Sequence, residues 1–257
     1  MLCQGVPRFL NSNCAKLATP CIIMGMKTIH PNRGLIVGIT GGIACGKSTV
    51  TRLLTEKGAI PIDADEIGHR LLQRGSPILD TLIATFGADI LDESGNVSRA
   101  KLGAIVFRDK AARGRLNAIM HPRIMQQSRE AAMELAEADP NRIVLIDAAL
   151  LIEIGALSSV DVIIVVTTTP EIQMQRLLAR SQRQGHPLTD EEAKARIDAQ
   201  MPLREKVKYA DFVVENSGTL EALAQRVDRL WAELDAGRLE RSVKSIGLTQ
   251  KQGETIK

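Results

Sequence analysis

Between Leu35 and Leu54 the chain reads LIVGITGGIACGKSTVTRLL: an apolar run, a glycine-rich stretch ending in Gly46-Lys47-Ser48, then apolar residues at helical spacing. A short continuous apolar run that ends in glycines is the pattern of a strand buried on both faces, and such strands belong to parallel sheets covered by crossover helices. Residues Gly41 to Ser48 fit G-x-x-x-x-G-K-[ST] and stand between that strand and a helix starting near Ser48, which is the context the motif requires. Glycine opens backbone geometries closed to other residues, so successive N–H groups can turn inward around phosphate oxygens, assisted by the dipole of the following helix. Gly42, Ala44, Cys45, Gly46, Lys47, Ser48 and Thr49 form this loop, with Lys47 directed at the β- and γ-phosphates and the Ser48 hydroxyl at Mg²⁺. The competing reading is a tight glycine turn before a helix.

The same alternation continues along the chain. AIPIDAD (Ala59 to Asp65), RIVLIDAALL (Arg142 to Leu151), VDVIIVVT (Val160 to Thr167) and ADFVVEN (Ala210 to Asn216) read as four more strands, with helical patterns between them. The fold class expected is α/β: a five-stranded parallel sheet with right-handed crossovers. Two stretches exceed a plain crossover. Residues 66–140 carry helical patterns and no persuasive strand, suggesting a helical subdomain over the C-terminal edge of the sheet. Residues 170–208 are helical and arginine-rich, suggesting a lid; Thr169-Pro170-Glu171 supplies a helix start, Thr189 with Glu192 a capping box, and Pro202 an interruption. The core is then 34–65, 141–169 and 209–235. Residues 1–33 contain Pro7, Pro20 and Pro31, no clear period and no acid, the first acidic residue being Glu56. They read as a disordered extension or a mis-assigned start, with Met24 or Met26 as the real one. Residues 236–257, with weak period, read as a tail that is frayed helix or disorder.

Composition excludes some partners. A net charge of +3 over 257 residues offers no electrostatic case for nucleic acid or a membrane surface, and 2% aromatic content disfavours single-strand stacking platforms. No apolar run approaches the roughly 18 residues of a membrane helix. Cys3, Cys14, Cys21 and Cys45 show neither zinc-ligand pairing nor disulfide density, which points to free thiols in a reducing, cytoplasmic setting. Cys45, inside the loop, stands where a helix N-terminus lowers a thiol pKa, so oxidation there is one way to block the site.

A phosphate cradle does not say what happens to the phosphate. Asp63 and Asp65 follow the second strand, near the end where open α/β sheets bind ligands, and a carboxylate there can take the proton of an attacking hydroxyl. Two residues apart on an extended segment face opposite ways, so one of the pair points at the nucleophile; the plainer role for Asp65 is to cap a helix beginning at Glu66. Asp147 closes the run IVLID, the place of a carboxylate that assists Mg²⁺, or of an ordinary strand-end turn. Arg176, Arg180 and Arg183 share one helix face, as a lid that supplies transition-state charge or as a solvated surface.

Together these residues resemble the dephospho-coenzyme A kinase family. The resemblance runs from about Leu35 to Asp235 and rests on Ile39-Thr-Gly-Gly42, Gly46 to Thr49, Ile62-Asp-Ala-Asp65, Met120-His-Pro122, Arg196 to Gln200 and Ala210 to Asn216. It implies a nucleoside-monophosphate-kinase-like core with a substrate subdomain and lid, and transfer of the γ-phosphoryl of ATP to the ribose 3′-hydroxyl of dephospho-coenzyme A with Mg²⁺. It further implies Asp65 as base, Asp63, Arg70 and His121 at the substrate, Lys47, Arg176 and Arg180 in catalysis, and Asn216 beside adenine. The implied partners are ATP and dephospho-coenzyme A, with a monomer or small homo-oligomer. One departure is visible: where the family has proline and then LLFE, this chain has Ala149 and then Leu150-Leu-Ile-Glu153. Two other readings share the loop. A kinase of another small hydroxyl acceptor would look much the same, whereas a guanine-specific switch needs an Asn-Lys pair, which the chain lacks.

Overall fold

The computed structural model describes the backbone of residues 33–245 and the side chains of residues 33–236. Among them five strands form one parallel sheet: β1 (Leu35–Gly41), β2 (Ile60–Asp63), β3 (Ile143–Asp147), β4 (Val162–Thr167) and β5 (Phe212–Glu215), in the order β2-β3-β1-β4-β5. β1 lies at the centre, paired with β3 through Leu35 opposite Ile143 and with β4 through Val37 opposite Val162. Connections therefore leave β1 toward opposite edges, and the glycine loop emerges at that switch point, where open α/β sheets bind ligands.

Period-two alternation sorts the strand residues between two cores. Ile36, Val144, Ile146, Ile163 and Val165 face α2 (Ala64–Leu71) and α5 (Lys110–Ala138), packing with Ile67, Leu71, Ala132 and Ala136. Leu35, Val37, Ile39, Leu145, Ile164 and Val166 face α1 (Lys47–Glu56) and α9 (Leu220–Ser245), packing with Val50, Leu54, Leu223, Val227 and Leu230. Both faces of the sheet are covered, which is why the central strands are apolar throughout. Between β2 and β3 the chain forms α2, α3 (Leu79–Phe86), α4 (Arg99–Arg108) and α5, joined on the α2–α5 face to one core. Between β4 and β5 it forms α6 (Pro170–Arg183), α7 (Asp190–Asp198) and the single turn α8 (Leu203–Lys206).

Helix starts follow the capping signals. The Thr169 hydroxyl accepts from the Ile172 amide, and Thr189 with Glu192 completes both bonds of a capping box. Pro202 stands immediately before α8.

One strand end differs from expectation. β3 ends at Asp147 rather than Leu151, because residues 148–152 form a turn that drops Leu151 and Ile152 into the core; burial made them apolar, not strand pairing. Of the tail read as frayed helix or disorder, residues 236–245 are helical, as the continuation of α9, while 246–257 lie outside the described residues, as does the extension before residue 33. No helix among the described residues is long and apolar enough to cross a membrane.

Candidate functional site

The loop from Gly41 to Lys47 alternates backbone handedness: Ala44 has φ 60° and Gly46 φ 85°, both left-handed. Such alternation gathers successive N–H groups into a concave anion nest. A Cβ on Gly46 would collide with the Asn216 side-chain nitrogen, so the position needs glycine for space as well as for conformation. α1 begins immediately after it without a capping side chain or an acidic first-turn residue. The chain capped α2, α4, α5, α6 and α7 with Asp or Ser/Thr side chains, so the bare start of α1 leaves N–H donors facing the nest.

Lys47 opens α1 and pairs with Asp147 Oδ1, at the end of β3. The other Asp147 oxygen accepts the Thr51 hydroxyl at 2.7 Å. Burial pulls the Lys47 ammonium below its ordinary pKa; the Asp65 and then the Asp63 carboxylates push it back up, and the Lys206 cation adds to the lowering. Loop lysine and both aspartates therefore lie within electrostatic reach of one another.

Asp65 does not sit on an extended segment. β2 ends at Asp63, whose Oδ1 accepts from the amides of Asp65 (2.8 Å) and Glu66 (3.2 Å), so Asp63 is the cap of α2. Asp65 belongs to the first helical turn, with an exposed side chain. The opposite-face argument for an extended pair and the assignment of Asp65 as cap both fail for this one reason: the helix starts two residues earlier than the aspartate spacing suggests.

Asp65 lines a cleft of about 240 Å³ with His121 of α5, Ala148 and Ala149 after β3, Ile154 and Gln200. Burial lowers the His121 pKa, which favours neutral imidazole. A larger shallow groove of about 500 Å³ runs along α5 from Gln126 to Glu137 and includes no residue of the loop or the strand ends. Arg70 lies one turn past Glu66 and pairs with it at 3.4 Å on the surface of α2.

The arginine row divides. Arg176 is half-buried and donates to the Asn216 carbonyl at 2.9 Å, whereas Arg180 and Arg183 are exposed, the latter bonded to the Ala179 carbonyl of its own helix. Asn216, buried after β5, donates Nδ2 to the Cys45 carbonyl at 2.9 Å and so braces the loop itself. Cys45 is fully buried, and burial pushes its thiol pKa up; the expectation of a lowered, oxidisable thiol is corrected accordingly.

Residues outside the motif complete the loop's support. Gln173 of α6 donates Nε2 to the Ile43 carbonyl at 2.8 Å, and Gln200 Oε1 accepts from the Ile43 amide at 2.7 Å. Lys206 is wholly buried and bonds the Gly41 carbonyl (3.1 Å), the Ala149 carbonyl (2.9 Å) and Glu153 Oε1 (2.8 Å), tying the start of the loop to the cleft wall. Sequence reasoning passed over Lys206 because LREKVKYAD looks like a solvated charged turn. The available signal was the apolar setting of its neighbours Leu203 and Val207 at helical spacing.

Hard oxygen donors suited to Mg²⁺ are present: the exposed Ser48 hydroxyl and the Asp147 carboxylate. Among the described residues no group of three or more His, Cys, Asp or Glu could hold a metal.

Residues 35–222 match the family model described as dephospho-CoA kinase. The dephospho-CoA kinase of Anaeromyxobacter dehalogenans is 43% identical over 203 residues, 79% of this chain and 93% of that protein. That of Carboxydothermus hydrogenoformans is 46% identical over 192 residues, 75% and 90% of the two chains. Among solved structures, the dephospho-CoA kinase from Campylobacter jejuni superposes with a TM-score of 0.60 at 30% identity, covering 79% of this chain and 98% of that one. A protein from Thermus thermophilus superposes with a TM-score of 0.62 at 33% identity, covering 78% and 98%.

Proposed function

The chain belongs to the dephospho-CoA kinase family, and on that premise we propose how its residues divide the work of the reaction. The γ-phosphoryl of ATP passes to the ribose 3′-hydroxyl of dephospho-coenzyme A, giving coenzyme A and ADP, the last step of coenzyme A biosynthesis. One observation supports the assignment most: Asp65 lines a cleft with His121 while lying within electrostatic reach of Lys47.

The loop N–H groups and Lys47 hold the β- and γ-phosphates, with Gly42, Ala44, Cys45, Gly46, Ser48 and Thr49 forming the cradle. Lys47 exchanges part of its contact with Asp147 for phosphate oxygens. Ser48 and Asp147 would hold Mg²⁺, which supplies further neutralisation of phosphate charge. Asp65 accepts the proton of the 3′-hydroxyl as its oxygen bonds to the γ-phosphorus and the bond to the ADP oxygen breaks in line. Asp63 keeps Asp65 in place by capping its helix. His121, as neutral imidazole, and Arg70 contact the acceptor from the helical subdomain of residues 66–140. Residues 170–208 act as a lid: Arg176 stands at the nucleotide beside Asn216, and Arg180 swings in to meet spreading phosphoryl charge and help exclude water, which would otherwise compete as nucleophile. The protein works as a monomer or small homo-oligomer without nucleic acid or membrane.

The test is ADP release measured with dephospho-coenzyme A, nucleoside monophosphates and shikimate as acceptors, in the native protein and in Asp65→Asn. Release with dephospho-coenzyme A alone is expected. Asp65→Asn is expected to lower turnover on the order of 10²-fold or more while sparing ATP binding at neutral pH. Near-normal turnover in that variant would remove Asp65 as the base.

A further inference from the structure

Gln200 sits where two functions meet. Gln200 lines the cleft with Asp65 and His121, and its side chain bonds the backbone of the phosphate loop at Ile43. An amide side chain has two chemically distinct ends, and here the protein decides which faces where. The Ile43 amide can only donate, so the end turned toward it at 2.7 Å must be the carbonyl oxygen Oε1. The Nε2 hydrogens are thereby turned elsewhere, and they make no hydrogen bond to protein among the described residues. Ile43 is itself fixed, because its carbonyl is filled by Gln173 from α6. A half-buried donor is thus held in a set orientation at the edge of a cleft whose other walls, Ala148, Ala149 and Ile154, are apolar.

We propose that Gln200 is a specificity-determining residue of the acceptor site: Nε2 donates a hydrogen bond to an oxygen of the hydroxyl-bearing acceptor, and Oε1 keys that donor to the phosphate loop through the Ile43 amide. The proposal rests on the reading that the Asp65 cleft takes the acceptor. It accounts for the polar side chain in this part of the cleft. A brace for Ile43 alone would need only an acceptor oxygen, whereas an amide carries the donor as well. A site built to donate to a substrate oxygen discriminates against ligands that lack it, because the donor, once covered by the bound ligand, is then left unpaired.

Two substitutions separate the halves. Gln200→Glu keeps an oxygen for the Ile43 amide and replaces the donor with lone pairs. Gln200→Met removes both ends at similar length and without charge. The full-length protein is assayed for acceptor KM, turnover and directly measured ATP dissociation, with thermal unfolding to confirm that each variant folds. Both variants are expected to raise the acceptor KM about tenfold, the size of one lost hydrogen bond. ATP dissociation in Gln200→Glu should stay within about threefold of native, and the penalty should shrink toward zero with acceptor analogues that lack the contacted oxygen. An acceptor KM within about twofold of native in folded Gln200→Met, or ATP affinity falling as far as acceptor affinity in Gln200→Glu, would overturn the proposal. Native protein and Asp65→Asn run alongside. If the native protein fails to use dephospho-coenzyme A, or Asp65→Asn is unimpaired, the cleft reading itself falls; if both behave as expected while the Gln200 variants match native, only the role of Gln200 falls.

Discussion

Lys47 carries its charge against the preference of its surroundings. Burial favours the neutral amine, while the Asp65 and then the Asp63 carboxylates favour the cation, which pairs directly with Asp147. A lysine whose pKa is lowered loses its charge as pH rises, before 10.5, and on the proposed role of Lys47 phosphate binding needs that charge. ATP affinity of the free protein should therefore fall through the alkaline range below 10.5, and in Asp65→Asn the fall should begin at lower pH; direct binding measurements across pH check both. If Lys47 meets the phosphates in both ground and transition state as proposed, Lys47→Ala should weaken ATP binding and lower turnover on the order of 10²-fold or more. Gly46→Ala should lose ATP binding as well, and cost about 1–3 kcal/mol in denaturant unfolding, because the new Cβ meets the Asn216 amide at a left-handed φ. The loop residues were legible because their chemistry is written in adjacent positions. The supports were less so: Gln173, Gln200 and Lys206 lie more than a hundred residues from the loop they hold, and the local sequence around each does not say which distant backbone it reaches. Asp65 illustrates the intermediate case: it lines the cleft, but from the first turn of α2 rather than from an extended segment, since the short span between β2 and α2 leaves the helix start undetermined by pattern alone.

Element by element, helices with explicit start signals were the most legible. Thr169 and Thr189 cap α6 and α7 as their sequence contexts indicate. Thr189→Ala should therefore destabilise α7 by about 1 kcal/mol. Hydrogen exchange of residues 190–198 should speed up accordingly while β1 and β4 remain protected, because α7 contributes one wholly buried side chain, Ala193, and opens locally. Strand ends were least legible. An apolar run says that residues are buried, not whether the ladder continues, and Ala148, Leu151 and Ile152 are buried without strand pairing, in and beside a turn whose Ala149 and Leu150 are only partly covered. That turn matters chemically: its Ala149 carbonyl accepts from both Thr40 and Lys206, so the cleft wall is fastened to the central strand and to the end of the 170–208 segment. The substitution of Ala149 and Ile152 for the family's proline and phenylalanine leaves these backbone contacts available, because they are made by carbonyls rather than side chains.

For the molecule as a whole, the family match spans residues 35–222, and the glycine loop, Asp65, Asp147 and Asn216 all fall inside it. Removing residues 1–25 should leave the specific activity within about twofold of the full chain, checked by the same ADP-release assay at equal protein concentration. The sheet order was not written in the sequence, because parallel strands pair at separations that local patterns do not encode; only their buried character was. That order also governs when the chain can become an enzyme. β1, which carries the glycine loop, has no partner near it in sequence: Leu35 is matched to Ile143 and Val37 to Val162. Contacts of such separation slow folding, since the loop-closure entropy is lost before the pairing repays it. During synthesis the glycine loop therefore leaves the ribosome well before the strands that β1 pairs with, and is assembled late. A nascent chain that ends before β3 carries the whole GKS signature and no means of holding a nucleotide with it, so the cell meets this kinase as an ATP-binding protein only once most of it has been made.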